Sequence, residues 1–469
     1  MAGCWTTPTA AGSSGSAPSS SPARCLPSPP SAPRPTQAAK RRKPPDMASI
    51  TATPPTALRV LSLVGTAHFM SHLYYQALPP LFVLMVADLK VSYTALGLIM
   101  TVYHVATASV ATPVGFLVDR IGARRILVGG LLIQAVAMIA AGAFNSYWAL
   151  MGLFAVSGLA FAVYHPANYA IISGSVRESW LGRAFSIHAF TGNLGNALTP
   201  ILVLAIAAIW SWQMVFFIIG GIGVVIALLV IQQGDNLRDE TERRRSAEKQ
   251  ARGNGEAPSP AAAGAGTTLA KDLALLMSGP VLFCFLFYVI SNIGIGGLRT
   301  YGVAGIVELH GTPLTLAGSA LTGYMLGASL GLLAGGFLAD RFGTHVITAI
   351  LGLGASAVLV ALIGTVSLPA LVIVAMLAFS GFTRGMVQAT RDLIVLSITP
   401  KGSTGKVFAF VYNGSMIGGA LIPFIYGWFM DNGHPAAVFW IAGGSMIAAL
   451  LTFIGVKGAA GRSPAIRET

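Results

Sequence analysis

Apolar residues run through this chain in long blocks separated by short polar breaks, and the blocks have the length of membrane crossings. Stretches such as Ile126–Phe144 and Val346–Gly364 approach the ~20 residues that carry an α-helix across ~30 Å of hydrocarbon. Marking each block predicts helical spans over 58–86, 92–117, 126–144, 147–175, 183–208 and 212–233, then over 273–300, 315–338, 345–364, 368–398, 405–430 and 436–456. The expected fold class is therefore an all-α membrane protein with about twelve transmembrane helices in two six-helix halves. The polar breaks give the organisation. Residues 1–56 form a Pro/Ser/Ala-rich tail expected to be disordered, with Met47 a possible true start, and they hold no apolar core of a secretory signal. The first half covers 57–233, and a linker covers 234–270, charged at Arg243-Arg244-Arg245 and then rich in Gly, Ala and Pro. The second half covers 271–456 and a tail covers 457–469.

The second half repeats the first. Gly115-Phe-Leu-Val-Asp119-Arg120-Ile-Gly122 matches Gly336-Phe-Leu-Ala-Asp340-Arg341-Phe-Gly343, an offset of 340 − 119 = 221. Gly182-Arg183-Ala-Phe185 matches Gly405-Lys406-Val-Phe408, an offset of 405 − 182 = 223. Ser157-Gly158 maps onto Ser380-Gly381, and Gly195 and Pro200 onto Gly418 and Pro423. Two parallel halves related by an axis along the membrane normal are a known transporter plan, with the substrate site between them.

These repeated loops resemble the signature loop of the major facilitator superfamily, approximately G-x-L-x-D-R-x-G-x-R, here Gly115, Leu117, Asp119, Arg120, Gly122 and Arg124 with a shorter second copy through Gly343. The resemblance implies a pseudo-symmetric major facilitator fold working by alternating access, without a cofactor. It also implies a cytoplasmic gate built from Asp119, Arg120, Arg183, Asp340, Arg341 and Lys406. An aspartate at a helix C-terminus opposes the macrodipole and needs such a cationic partner. A narrower resemblance, to the fosmidomycin-resistance exporters, rests on His68-Phe-Met-Ser71-His72, Val163-Tyr164-His165-Pro166 and Ala189-Phe-Thr-Gly192-Asn193-Leu-Gly195. That group carries acidic residues where His72 and Ala167 stand here, so its carboxylates do not transfer to this chain.

Composition sharpens the class. The chain is 54% hydrophobic and 10% charged, with a mean hydropathy of +0.71, against about 25% charged in a soluble domain. Its formal charge of +13 would suit nucleic acid if it lay on one soluble face. Instead Arg120, Arg124, Arg125, Arg177, Arg183, the linker, Arg341, Lys401 and Lys406 fall in alternate loops, while the other loops hold little beyond Lys90. The positive-inside rule then places both termini in the cytoplasm of a multi-pass inner (plasma) membrane protein, with the lipid bilayer and no nucleic acid as partner. The expected state is a monomer. Cys4, Cys25 and Cys284 lie too far apart for a disulfide framework or a metal motif.

Polar residues inside spans are costly and mark a cavity. His68, Ser71, His72, Tyr75, Gln76 and Pro79 share one face of the first span. Tyr288, Ser291, Asn292 and Arg299 echo them in the seventh, and His188, Gly192, Gly195, Asn196 and Thr199 line a stripe of the fifth. The expected substrate-binding set is His72, Tyr75, Gln76, His104, His165, Asn168, His188, Asn292, Arg299, Arg384 and Gln388. Arg384 has no acidic residue one turn away in sequence, and a planar guanidinium suits a carboxylate or phosph(on)ate. Arg391 and Asp392 read as a structural or gating pair, and Asp392 or His165 as the carrier of a coupled proton. His68 and His72 read as cavity lining, with no metal site expected.

The expected function is thus secondary transport of a small organic anion or amphiphile, proton-coupled, with export slightly favoured over import of carboxylate nutrients. An intramembrane enzyme lacks support, because no H-E-x-x-H, nucleophile elbow or phosphate loop occurs. A receptor would be expected to carry a folded cytoplasmic domain, for which the linker and tails are too short and too polar.

Overall fold

A computed structural model describes residues 54–177, 180–234, 237, 269–342, 345–397, 399 and 404–460. The first half comprises α1 (Pro54–Ala77), α2 (Phe82–Leu89), α3 (Tyr93–Ile121), α4 (Ala123–Ala143), α5 (Tyr147–Phe161), α6 (Tyr164–Ser175), α7 (Leu181–Ile209) and α8 (Trp212–Gln232). A short α9 (Leu269–Leu276) precedes α10 (Gly279–His310), α11 (Leu314–Phe342), α12 (His345–Thr365), α13 (Ala370–Ser397), α14 (Thr404–Ile422), α15 (Trp428–Asp431) and α16 (Ala436–Ala460). Among the described residues nine helices are long and apolar enough to cross a membrane, and Ala436–Thr452 is a shorter apolar one. The nine include α5–α6 as the single rod Tyr147–Ser175; with Ala436–Thr452, and with α1–α2 and α14–α15 taken as continuous rods, they make six spans in each half, as the hydropathy pattern predicts.

Proline explains the broken rods. Pro79 and Pro80 cannot donate a backbone N–H, so α1 gives way to a tight turn, Pro79–Leu81, before α2 begins. Pro166 cannot donate to Ala162, and the chain restarts there as α6, with His165 in the first turn, where proline is tolerated. Pro423 opens a wide π-type turn, Pro423–Gly427, between α14 and α15; such turns cluster at functional sites. Ser92 caps α3 by accepting from the Ala95 amide at 3.1 Å. Gly122, at φ 102°, closes α3 and opens α4 without a linking loop, a backbone shape that needs glycine.

The repeat read from sequence is a repeat in packing. Helix α1 lies on α7, as α10 lies on α14; α4 lies on α8, as α12 lies on α16; and α3 lies on α5, as α11 lies on α13. The contact details also recur. A Cβ on Gly158 would meet the Tyr103 carbonyl at 2.4 Å, and one on Gly381 the Tyr324 carbonyl at 1.9 Å. In the same register Gln134 donates to Ser157 Oγ (3.0 Å), and the Ser356 and Ser380 hydroxyls bond at 2.7 Å. Small residues let these backbones approach, which is what packs helices where lipid removes the hydrophobic drive. The halves meet along two seams, α7 against α11 and α3 against α14 with its π turn.

Candidate functional site

Between the seams lies a cavity of about 340 Å³, walled by both halves. The first half contributes His72 and Tyr75 from α1, Tyr103, His104 and Thr107 from α3, Phe161, His165, and Asn193 and Asn196 from α7. The second contributes Tyr288, Ser291, Asn292 and Arg299 from α10, Tyr324 and Ser329 from α11, Arg384 and Gln388 from α13, and Tyr412 and Ser415 from α14. Among the described residues lining it there is no aspartate or glutamate, while two arginines and three histidines face it. Among the described residues lining this cavity the permanently charged groups are the two guanidiniums. Its walls are also aromatic, with Tyr75, Tyr103, Phe161, Tyr324 and Tyr412 offering flat apolar area beside the polar groups.

Individual side chains are held in defined orientations. The Arg299 guanidinium lies over the Tyr75 ring, 5.7 Å from its centroid, a cation–π contact across the two halves. Its Nε is buried with no hydrogen-bond partner among the described residues, as are Ser291 Oγ and Tyr324 Oη. Donors left without protein partners in a cavity wall are groups that a ligand or water can satisfy. The His104 Nδ1 bonds the Met100 carbonyl, so it carries the proton, and the ring's Nε2 accepts from Tyr75 Oη at 3.3 Å. Asn292 donates to the Ser415 carbonyl.

Behind His72 the histidines are threaded on one chain of bonds. His68 Nδ1 lies 2.9 Å from the His188 carbonyl, which can only accept, so Nδ1 is the donor. In the neutral ring His68 Nε2 then accepts from His72 Nε2 at 3.1 Å, and His72 Nδ1 accepts from the Asn196 amide at 2.8 Å. The His188 ring stacks on His68 with centroids 3.7 Å apart. Gly192 makes room for this group: a Cβ there would meet His68 Cε1 at 2.5 Å and His72 Cδ2 at 2.9 Å.

Of the expected binding residues, His72, Tyr75, His104, His165, Asn292, Arg299, Arg384 and Gln388 line the cavity. Gln76, Asn168 and His188 are buried outside its lining, with relative exposures of 2%, 0% and 2%. Gln76 instead donates to the Arg299 carbonyl at 3.1 Å, a bond between halves. Of the expected gate, Arg120 and Arg183 are exposed, Arg183 lying 5.0 Å from the Trp180 ring centroid. Asp119, Asp340, Arg341, Arg391, Asp392 and Lys406 lie outside the side chains that the structure describes.

One element was missed from sequence. At the end of the bundle away from the linker, the Asp431 carboxylate accepts the Tyr93 and Thr94 amides at 2.7 and 3.0 Å, capping α3 from α15. Tyr93 Oη donates to Glu308 at 2.8 Å, and Tyr301 Oη to the Tyr93 carbonyl at 3.1 Å. Helix α10 thus lines the cavity along its middle and joins the halves along its last third. The available signal was an acidic residue at each of two span ends and a free helix N-terminus, but nothing in the sequence pairs them.

A family model described as Major Facilitator Superfamily matches residues 64–303 and 284–468. An uncharacterized MFS-type transporter of Mycobacterium tuberculosis is 28% identical over 188 residues, 39% of this chain and 44% of the relative. The multidrug resistance protein MdtG of Citrobacter koseri is 29% identical over 146 residues, 31% of this chain and 35% of the relative. In both cases the chain spans less than half of the curated relative's length. Among solved structures, an inward-facing, unoccupied bacterial homolog of the human lysosomal transporter Spinster superposes with a TM-score of 0.69 at 14% identity, over 87% of this chain and 97% of that one. That likeness is one of fold.

Proposed function

The chain belongs to the Major Facilitator Superfamily, and from that premise we propose that it is a secondary active transporter of a small organic anion or amphiphile. The observation that carries this reading is the cavity's lining: the Arg299 and Arg384 guanidiniums face it beside three histidines, with no carboxylate among the described lining residues. Guanidinium does not lose its proton in a protein, and an anionic guest suits the planar fork of Arg299, whose Nε has no hydrogen-bond partner among the described residues. The substrate-binding set is His72, Tyr75, His104, His165, Asn292, Arg299, Arg384 and Gln388. The aromatic walls suit the apolar body of an amphiphile. The joint of Tyr93, Glu308, Tyr301 and Asp431 ties the halves together at one end of the bundle, which supports an inward-facing state; the distribution of Arg and Lys supports both termini cytoplasmic in the inner membrane.

Proton coupling belongs to the same proposal, with Asp392, by its position inside a span, or His165 the candidate carrier; Asp392→Asn retaining full pH-gradient-driven transport removes Asp392. Export is favoured over carboxylate import by the fosmidomycin-exporter motifs His68-Phe-Met-Ser71-His72 and Val163-Tyr164-His165-Pro166. A second reading, efflux of lipophilic drugs, draws on the similarity to MdtG.

One thermal-stability screen in detergent separates these readings. A ligand at 100 times its Kd adds roughly 2.7 kcal/mol to the folded state. Stabilisation by carboxylates or phosphonates, lost in Arg384→Gln, is the expected result. Stabilisation by lipophilic cations alone would overturn the anion reading and leave the drug-efflux one.

A further inference from the structure

Three histidines converge in the cavity wall, where α1 passes the break between α5 and α6. His68 and His72 stand one turn apart on one face of α1, and His165 sits in the first turn of α6, placed there by the Pro166 break. One nitrogen from each lies within 4.8 Å of the other two. The Nε2 atoms of His68 and His72 are 3.1 Å apart. In a tetrahedral zinc-type site, metal–nitrogen bonds of about 2.0–2.1 Å hold neighbouring nitrogens about 3.4 Å apart, so two ligands already stand near that spacing. His72 and His165 line the cavity.

We propose that His68, His72 and His165 form a three-histidine site for a divalent transition-metal ion, with its fourth coordination position facing the cavity. The donor set selects the ion class: three imidazoles and no carboxylate suit zinc, cobalt, nickel or copper and not magnesium or calcium. The outer contacts fit as well. His68 Nδ1 donates to the His188 carbonyl, which leaves the Nε2 lone pair pointing at the cluster, as in metal-bound histidines whose other nitrogen is tied to a carbonyl. His72 needs the same tautomer, with its proton on Nδ1. Asn196 faces that atom at 2.8 Å, and its Oδ1 is buried with no hydrogen-bond partner among the described residues. Turning the amide over presents Oδ1 to a His72 Nδ1–H and frees Nε2 to coordinate. The hydrogen-bonded chain itself uses only His68 and His72; it supplies no reason for His165 to face the same point.

Arg299 sets a condition on the fourth position. A dication near this guanidinium is held against like charge, so an anion completes the sphere: chloride, or an oxygen of the transported anion. That last clause rests on the anion reading; the histidine site does not.

The test is a Co²⁺ titration of the full-length, tag-free, chelator-washed protein in detergent and chloride buffer. Expected are the visible d–d bands of four-coordinate cobalt, saturating at one ion per chain and displaced by Zn²⁺. His72→Gln and His165→Gln should weaken binding by at least about tenfold, while His434→Gln, on an exposed turn, leaves it unchanged. Thermal melts confirm that each variant is folded, and His165 faces the cavity, so its replacement disturbs no packed core. Absence of the bands in the wild-type protein, or equal binding in the triad variants, overturns the site. Arg384→Gln keeps the two readings apart: it should retain cobalt binding even if the anion proposal fails.

Discussion

Arginine inside a membrane protein has no neutral form to retreat to, which makes Arg299 the most exacting side chain in the cavity. Its charge rests on the Tyr75 face, and its Nε has no hydrogen-bond partner among the described residues. Arg299→Gln should abolish anion-dependent stabilisation while leaving the melting temperature without ligand nearly unchanged; Arg299→Lys should restore only part of it, because a point charge lacks the planar fork. A glycine sits at the opposite extreme. A side chain at Gly381 collides with the Tyr324 backbone carbonyl, whereas a Cβ on Gly444 meets nothing. Gly381→Val should destabilise by about 1–3 kcal/mol. Gly444→Ala should be neutral or stabilise by up to about 1 kcal/mol through helix propensity. Thermal unfolding of both variants in detergent checks the pair, and equal effects would count against the close approach of α11 and α13.

At the scale of elements, the joint between α15 and the start of α3 ties the two halves together at one end of the bundle. Asp431 satisfies two amides at the start of α3 and sits at the positive end of its dipole. Asp431→Ala removes both effects, a loss of about 1 kcal/mol borne only by the state in which this end is closed. That difference shifts the balance between the two states by roughly fivefold. Distances between spin labels on α3 and α15, in a background lacking the three native cysteines, should lengthen in the variant population. An unchanged distribution would mean that Tyr93, Glu308 and Tyr301 hold the joint without it. The expected gate at the repeated Asp-Arg loops belongs to the opposite end of the same helices, where most of the side chains concerned lie outside those described.

For the whole molecule, the repeat is geometric but not chemical. Equivalent glycines pack equivalent helices, yet the first half supplies the cavity's histidines and the second its arginines. On the anion reading, substrate recognition would require both halves at once, while each half carries its own internal packing. Two chains, one ending after Gln233 and one starting at Lys271, should assemble when co-expressed and recover transport. Recovery of assembly without transport would show that the linker does more than tether.

Much of this was legible from the sequence because a bilayer imposes a strict grammar. Backbone groups in hydrocarbon must pair within the helix, so apolar block length fixes the spans, and an in-register repeat fixes the two-half plan. The arginines and the three cavity histidines, His72, His104 and His165, were legible too, since a polar group in a span is expensive wherever the span packs. Which polar residues share a space was not. Helical periodicity gives the face of each residue but not the partner across from it. Gln76 and His188 share faces with true cavity residues yet are buried against neighbouring helices. The Asp431 cap and the meeting of His165 with His68 and His72 join residues 338 and about 97 positions apart. Only the packing of one helix on another brings them within a few ångströms, and that is set by tertiary structure.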